Sequence, residues 1–200
     1  MIKTNSTLFL QLSKFISNFF NPLTSLLIYF LYSSLKMHSL QETAFIFLPI
    51  FLMTIIPITG WIYWNVKKGK YTNADVSDRN QRKGLYFFIG AMISVYLFYD
   101  YFTNHSVDLT MLFLLILLAT MQVSNYFIKS SMHTAFNVFV AALFFAINPF
   151  LGFLWLGIAA LVGFTRIILK RHTVAEVMMG ALIATCISFI YLYTHIHLQK

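Results

Sequence analysis

Two polar clusters interrupt an otherwise apolar chain, and each holds a histidine beside hydroxyls and cations. One is Lys129-Ser130-Ser131-Met132-His133; the other runs from Thr165-Arg166 through Lys170-Arg171-His172 to Glu176. Imidazole can act as nucleophile or base, while cations and helix-start amides can hold phosphoryl oxygens. Such a set suits cleavage of a phosphate at a membrane surface. Charges near hydrocarbon are expensive, which makes both clusters functional candidates. Glu176 follows His172 by four residues, one helical turn away. A carboxylate there can accept a hydrogen bond from one ring nitrogen and leave the other to react. Arg166 and His172 are six apart and need not share a helical face. A helix ending near Arg166 and another starting after His172 could still aim both at one point. Ser131 and His133 stand at a helix start, where a hydroxyl caps free amides and the dipole favours an anion. Lys129 adds positive charge there.

A third polar stretch, residues 67–83, offers Arg79 and Arg82, neighbours on one turn if helical. Their planar forks can bind two phosphate oxygens at once. Asp75 and Asp78 could orient those arginines or balance an exposed loop. Plainer readings stand beside these. The third cluster suits an ordinary wet helix end, the second plain N-capping, and Lys67, Lys68 and Lys70 a solvated loop. Asn137 could line a pocket or bond between helices. Asp100, His105 and Asp108 lie around a hairpin turn on the opposite face, and His195 and His197 in a C-terminal tail; all five suit an interface.

The elements that must carry these residues are membrane helices. The 200 residues are 59% hydrophobic and 10% charged, against roughly 25% charged for soluble domains. Eighteen percent aromatic residues suits lipid-facing helices. The net charge of +8 comes without a basic stripe or a soluble domain to carry one. It points to loops, anionic headgroups or a phosphate site rather than nucleic acid. Cys186, in an apolar run, allows no intramolecular disulfide. The start at Met1-Ile2-Lys3-Thr4-Asn5 lacks the pattern of a cleaved leader, so the first apolar stretch is expected as a retained helix.

A span needs roughly 20 apolar residues. Seven candidates follow, at about 15–35, 43–66, 85–102, 109–127, 133–147, 150–168 and 174–193, with kinks expected at Pro49 and Pro57. The expected fold is all-α: a single domain over 1–200, a polytopic membrane bundle of six to seven transmembrane helices with a polar site at one face. The six-span version has an interfacial N-terminal helix. Two-helix hairpins separate the three polar segments, so all three should face the same membrane surface.

In order, spacing and placement over 75–176, these segments resemble the type-2 phosphatidic acid phosphatase superfamily. Its motifs are Lys, six residues, Arg-Pro; then Pro-Ser-Gly-His; then Ser-Arg, five residues, His, three residues, Asp. Here the last motif is Thr165-Arg166, His172, Glu176, with the spacing intact. The middle one is Ser130-Ser131-Met132-His133, lacking Pro and Gly. The first is the most altered: Arg82 keeps its place, but Asp75 stands for the lysine and Lys83 for the proline. Arg79 or Lys129 could supply the missing cation. The resemblance implies a lipid phosphate phosphatase working without cofactor or metal. In it, His172 would be the nucleophile oriented by Glu176, and His133 the acid and base. Arg82, Arg166 and the backbone near Ser131 would hold the phosphoryl oxygens, supported by Arg79 and Lys129.

The implied partners are a lipid phosphate and membrane lipids, and the implied location a bacterial inner membrane. Lysines such as Lys3, Lys14, Lys67, Lys68 and Lys70 crowd the site side, while Lys36 and Lys200 lie opposite, so charge bias puts the site in the cytoplasm. The family's bacterial members put it outside, and that orientation is preferred because site-side lysines also attract headgroups. The departures at Asp75, Ser130, Met132 and Glu176 motivate a rival: a non-catalytic relative that binds or moves a phospholipid or anion. A small unrelated transporter would need counter-ions at mid-bilayer, and the sequence offers almost none.

Overall fold

Apolar runs in a bilayer can satisfy their backbone only as helices or closed barrels, and this chain forms helices. The computed structural model describes residues 7–76 and 78–198. Lys3 and Lys200 of the charge comparison, and the Met1–Asn5 start, lie outside the described residues. The elements are α1 (Thr7–Phe19), α2 (Pro22–Met37), α3 (Leu40–Ile50), a π-helical turn (Phe51–Ile55), α4 (Ile56–Lys67), α5 (Arg79–Asn104), α6 (Leu109–Phe127), α7 (Met132–Ile147), α8 (Pro149–Ile168) and α9 (Val174–Leu198). Among the described residues five helical runs are long and apolar enough to cross a membrane, or up to six if α1 and α2 count as one span.

Some boundaries differ from expectation, the first span and the start of α5 for a local reason. The span expected at 15–35 is two helices bent by 54°. Asn21 caps α2 by accepting from Thr24 N–H at 3.0 Å, and Pro22 starts it, a residue that disfavours helix in its predecessor. In the run from Leu40 to Lys67, where kinks are expected at the prolines, a π-helical turn lies between Pro49 and Pro57. α5 begins at Arg79 rather than 85 because the Asp78 carboxylate accepts from the N–H groups of Asn80 and Gln81. At the far end α9 continues to Leu198, so His195 and His197 are helical rather than in a tail.

The chain groups into two compact units. One comprises Met1–Phe30 with Ile128–Lys200, the other Leu31–Phe127. In the first, α7 packs against α8 and α9, and α1 against α8. Helix α7 is buried at every position from His133 to Phe144, which explains its apolarity on all sides. Asn137, fully buried, uses all of its hydrogen-bonding capacity. Its Oδ1 accepts from Ser25 Oγ at 2.9 Å and Trp155 Nε1 at 3.2 Å. Its Nδ2 donates to the carbonyls of Phe20 at 2.9 Å and His133 at 2.8 Å. Of its two sequence readings, the bond between helices is the observed one. Trp155 also contacts the rings of Phe20 and Phe144.

In the second unit α5 packs against α4, the π-helical turn and α6. The Trp61 ring stacks on Phe88 at 4.3 Å, and its Nε1 donates to Tyr71 Oη at 3.1 Å. Large apolar side chains such as Phe87, Phe98, Phe153 and Phe189 are exposed in both units, as suits helices surrounded by lipid.

Candidate active site

Two helix starts and one helix end meet in the first unit. Helix α8 ends in a Schellman turn: Arg171 N–H donates to the Arg166 carbonyl and Lys170 N–H to that of Ile167, both at 3.0 Å. Lys170 adopts φ 53 to close it. His172 N–H also donates to the Arg166 carbonyl, at 3.3 Å. The five residues between Arg166 and His172 are thus the last turn of a helix and its reversal, which return His172 to Arg166. Thr165 Oγ1 donates to the Val162 carbonyl at 2.7 Å, so this hydroxyl serves the helix end.

Helix α9 starts with a capping box. Glu176 N–H donates to Thr173 Oγ1 at 3.3 Å, and Thr173 N–H to Glu176 Oε2 at 3.2 Å. The same Oε2 lies 2.8 Å from His172 Nδ1. Because a carboxylate only accepts, the shared proton belongs to Nδ1, which in the neutral imidazole puts the lone pair on Nε2. The imidazole is buried while the Glu176 carboxylate keeps partial exposure. Lys129 completes the group: its Nζ stands 3.9 Å from Glu176 Oε2 and donates to the Arg171 carbonyl at 3.2 Å.

Helix α7 starts against α9. Ser131 N–H donates to the Glu176 carbonyl at 2.9 Å. A side chain on Gly180 would meet the Ser131 carbonyl oxygen at 2.6 Å, so only glycine allows this approach. Ser131 Oγ caps α7, accepting from Thr134 N–H at 3.4 Å and Thr134 Oγ1 at 3.0 Å. His133 follows on the first turn, buried, its carbonyl held by Asn137. Gly163 of α8 lies against Thr134 and Val177, where the three helices converge. The Ser131 amide and hydroxyl and the Thr134 amide are therefore engaged within the protein.

Arg166 is buried and its Nη1 donates to Ser17 Oγ, also buried, at 3.0 Å. Sequence reasoning missed Ser17, Thr173 and Gly180. Thr173 carried a usable signal, Thr-x-x-Glu ahead of an apolar run. Ser17 showed only as one of two serines, with Ser13, one turn apart in an apolar helix.

The cations of the first motif belong to the second unit. Arg79 and Arg82 are helical and three residues apart on the first turn of α5. Arg79 Nε donates to the Asn125 carbonyl at 2.6 Å and Nη2 to that of Tyr126, so the guanidinium caps the end of α6. Asn125 Nδ2 returns a bond to the Arg79 carbonyl at 3.1 Å. Arg82 is buried and its Nε donates to the Val76 carbonyl at 2.9 Å. Val76 is held at φ 44, an outlying conformation for a β-branched residue. Asp78 serves as the cap of α5. Among the described residues no group of three or more His, Cys, Asp or Glu is gathered as a metal site.

No curated protein and no solved structure matches the chain. A family model, the PAP2 superfamily, matches residues 120–199, which hold Lys129, Ser131, His133, Arg166, His172 and Glu176. The match supports a phosphatase kind of reaction and a membrane protein. The PAP2 superfamily model that matches residues 120–199 is that of the family which the second and third motifs resemble.

Proposed function

We propose that the protein is a membrane-embedded lipid phosphate phosphatase, with a bacterial inner membrane as its location, hydrolysing a phosphomonoester or diphosphate headgroup through a phosphohistidine. The observation that carries this reading is the buried His172 imidazole bound through Nδ1 to Glu176 at 2.8 Å, beside the turn that starts at Arg166. In the first step His172 Nε2 attacks phosphorus, the P–N bond forms and the P–O bond to the lipid breaks. His133 gives its proton to the leaving oxygen. In the second, His133 takes a proton from water, the hydroxide attacks phosphorus and the P–N bond breaks to release phosphate.

Charge on the transferring group is met by the Arg166 fork and the first-turn amides of α7, without a metal. Lys129 supports the His172–Glu176 pair through its 3.9 Å contact with Glu176. Arg79 and Arg82 enter this reading through their motif positions alone. The test is phosphate release from phosphatidic acid by purified protein in detergent, with a quench in alkaline SDS that preserves a base-stable, acid-labile phosphohistidine. Release with the trapped intermediate supports the reading; release without it removes the covalent step.

A second reading, a relative that binds a phospholipid or anion without cleaving it, is favoured by one observation. The Ser131 amide and hydroxyl, in the motif that should cradle phosphate, are bonded to Glu176 and Thr134. It predicts saturable vanadate binding with no phosphate release.

A further inference from the structure

Helix α1 lies outside the matched residues 120–199 and outside all three motifs, yet it reaches the central cation of the third motif. Its apolar residues Leu8, Leu12, Phe15 and Phe19 are exposed, while Ser13 and Ser17 are buried. Both serines belong to a helix that packs against α8. Small residues at such contacts let helices approach closely. At this one the Ser17 hydroxyl accepts from Arg166 Nη1 at 3.0 Å, with both residues buried.

We infer that Ser17 is a positioning residue for Arg166, an inference that rests on the phosphatase reading above. A guanidinium offers five N–H donors in one plane. Binding two phosphoryl oxygens side by side requires that plane to face them. The bond to Ser17 takes one Nη1 donor and fixes the fork against rotation, so the plane of the guanidinium is set before substrate arrives. Ordering that happens before binding is not charged against binding or the transition state. The N-terminal helix is thereby part of the phosphate-binding apparatus, and Ser17 acts through Arg166 without touching substrate.

The experiment measures vanadate affinity and turnover of a short-chain phosphatidic acid by purified protein in detergent. The variants are Ser17→Ala, Ser13→Ala, Arg166→Lys and the double variant Ser17→Ala/Arg166→Lys. Alanine keeps the helix contact and removes only the acceptor; because a buried donor then loses its partner, the melting temperature should fall by a few degrees in a protein that still folds. Ser17→Ala should lower both vanadate affinity and kcat/KM about tenfold, the scale of one hydrogen bond to a charged group. Ser13→Ala, one turn away on the same buried face, should leave both unchanged. In the Arg166→Lys background, where no planar fork remains to be aimed, adding Ser17→Ala should cost less than about twofold. The proposal is overturned if Ser17→Ala matches the wild type, or if its effect is as large in the Arg166→Lys background. A wild type that binds vanadate but releases no phosphate ends the phosphatase reading alone, and Ser17 is then judged on the vanadate affinities. A wild type that binds no vanadate overturns both.

Discussion

One carboxylate oxygen, Glu176 Oε2, meets His172 Nδ1, Thr173 N–H and, more distantly, Lys129 Nζ. The longer reach of glutamate than aspartate suits this double duty, since a capping box needs a side chain that folds back over the first turn. His172→Ala should abolish phosphate release, by about three orders of magnitude or more, because the covalent nucleophile is gone. Circular dichroism and melting temperature should stay near the wild type; a folded variant with normal turnover would remove the phosphohistidine from the mechanism. Glu176→Gln should lower kcat by roughly a hundredfold or more by losing the charge that fixes the Nδ1–H tautomer, and stopped assays on the purified variant measure it. The two candidate replacements for the missing family lysine should separate. Lys129→Gln should lower kcat/KM about tenfold or more, on the scale of lost transition-state electrostatics. Arg79→Gln should instead cost roughly 1–3 kcal/mol of stability, because the carbonyls of Asn125 and Tyr126 lose their donor. Lys67→Gln and Lys68→Gln, exposed in the structure, should change neither rate nor melting temperature by much, since exposed charges are screened. Equal rate losses for Arg79→Gln and Lys129→Gln would contradict this division.

At the scale of elements, α9 holds the site together through a surface with no side chain on it. Gly180→Ala would put a methyl group 2.6 Å from the Ser131 carbonyl oxygen. Neither partner there is a flexible side-chain end, so the start of α7 must move away from α9. Turnover should fall about tenfold or more, since misplacement of catalytic groups by an ångström can cost about a hundredfold. Chain-matched kinetics and crosslinking between α7 and α9 would report it, and unchanged turnover would show that this approach is not required. The Schellman turn makes the opposite kind of prediction. Lys170 sits at φ 53, where glycine carries no Cβ penalty. Lys170→Gly should therefore stabilise by about 0.5–1 kcal/mol and leave kcat near the wild type, as read by thermal unfolding in detergent. Lost activity there would mean that the Lys170 ammonium itself takes part.

For the whole molecule, the membrane side of the site follows from one accessible position. Lys170 is exposed in the turn between α8 and α9, and Cys186 is the single native cysteine. In a Cys186→Ala background, Lys170→Cys should react with a membrane-impermeant thiol reagent added outside intact cells, in keeping with the family orientation. Protection until lysis would follow the lysine bias instead.

Much of this architecture was legible before any tertiary contact. The apolar runs set helix existence and type, because a backbone in hydrocarbon has so few options. The bounds of α6 and α8 fell within a residue of expectation for that reason. The His172–Glu176 pair was equally legible, since one helical turn is local geometry, and so was the order of the motifs. Local chemistry also held what was overlooked: the Asn21-Pro22 break, the Asp78 cap and the Thr173 capping box each carried their own residue signature. What only the folded chain decided is who satisfies the buried polar groups. Ser17 and Arg166 are 149 positions apart, and Ser25 and Asn137 are 112 apart. A bond across that separation leaves no period or spacing in the sequence. Yet a buried donor or acceptor without a partner would be costly in a membrane interior. The same holds for Gly180 against Ser131: a glycine in an apolar helix is silent until its neighbour is known. Those contacts, set by packing alone, turn a row of motif residues into a placed imidazole, a capped helix start and an aimed guanidinium.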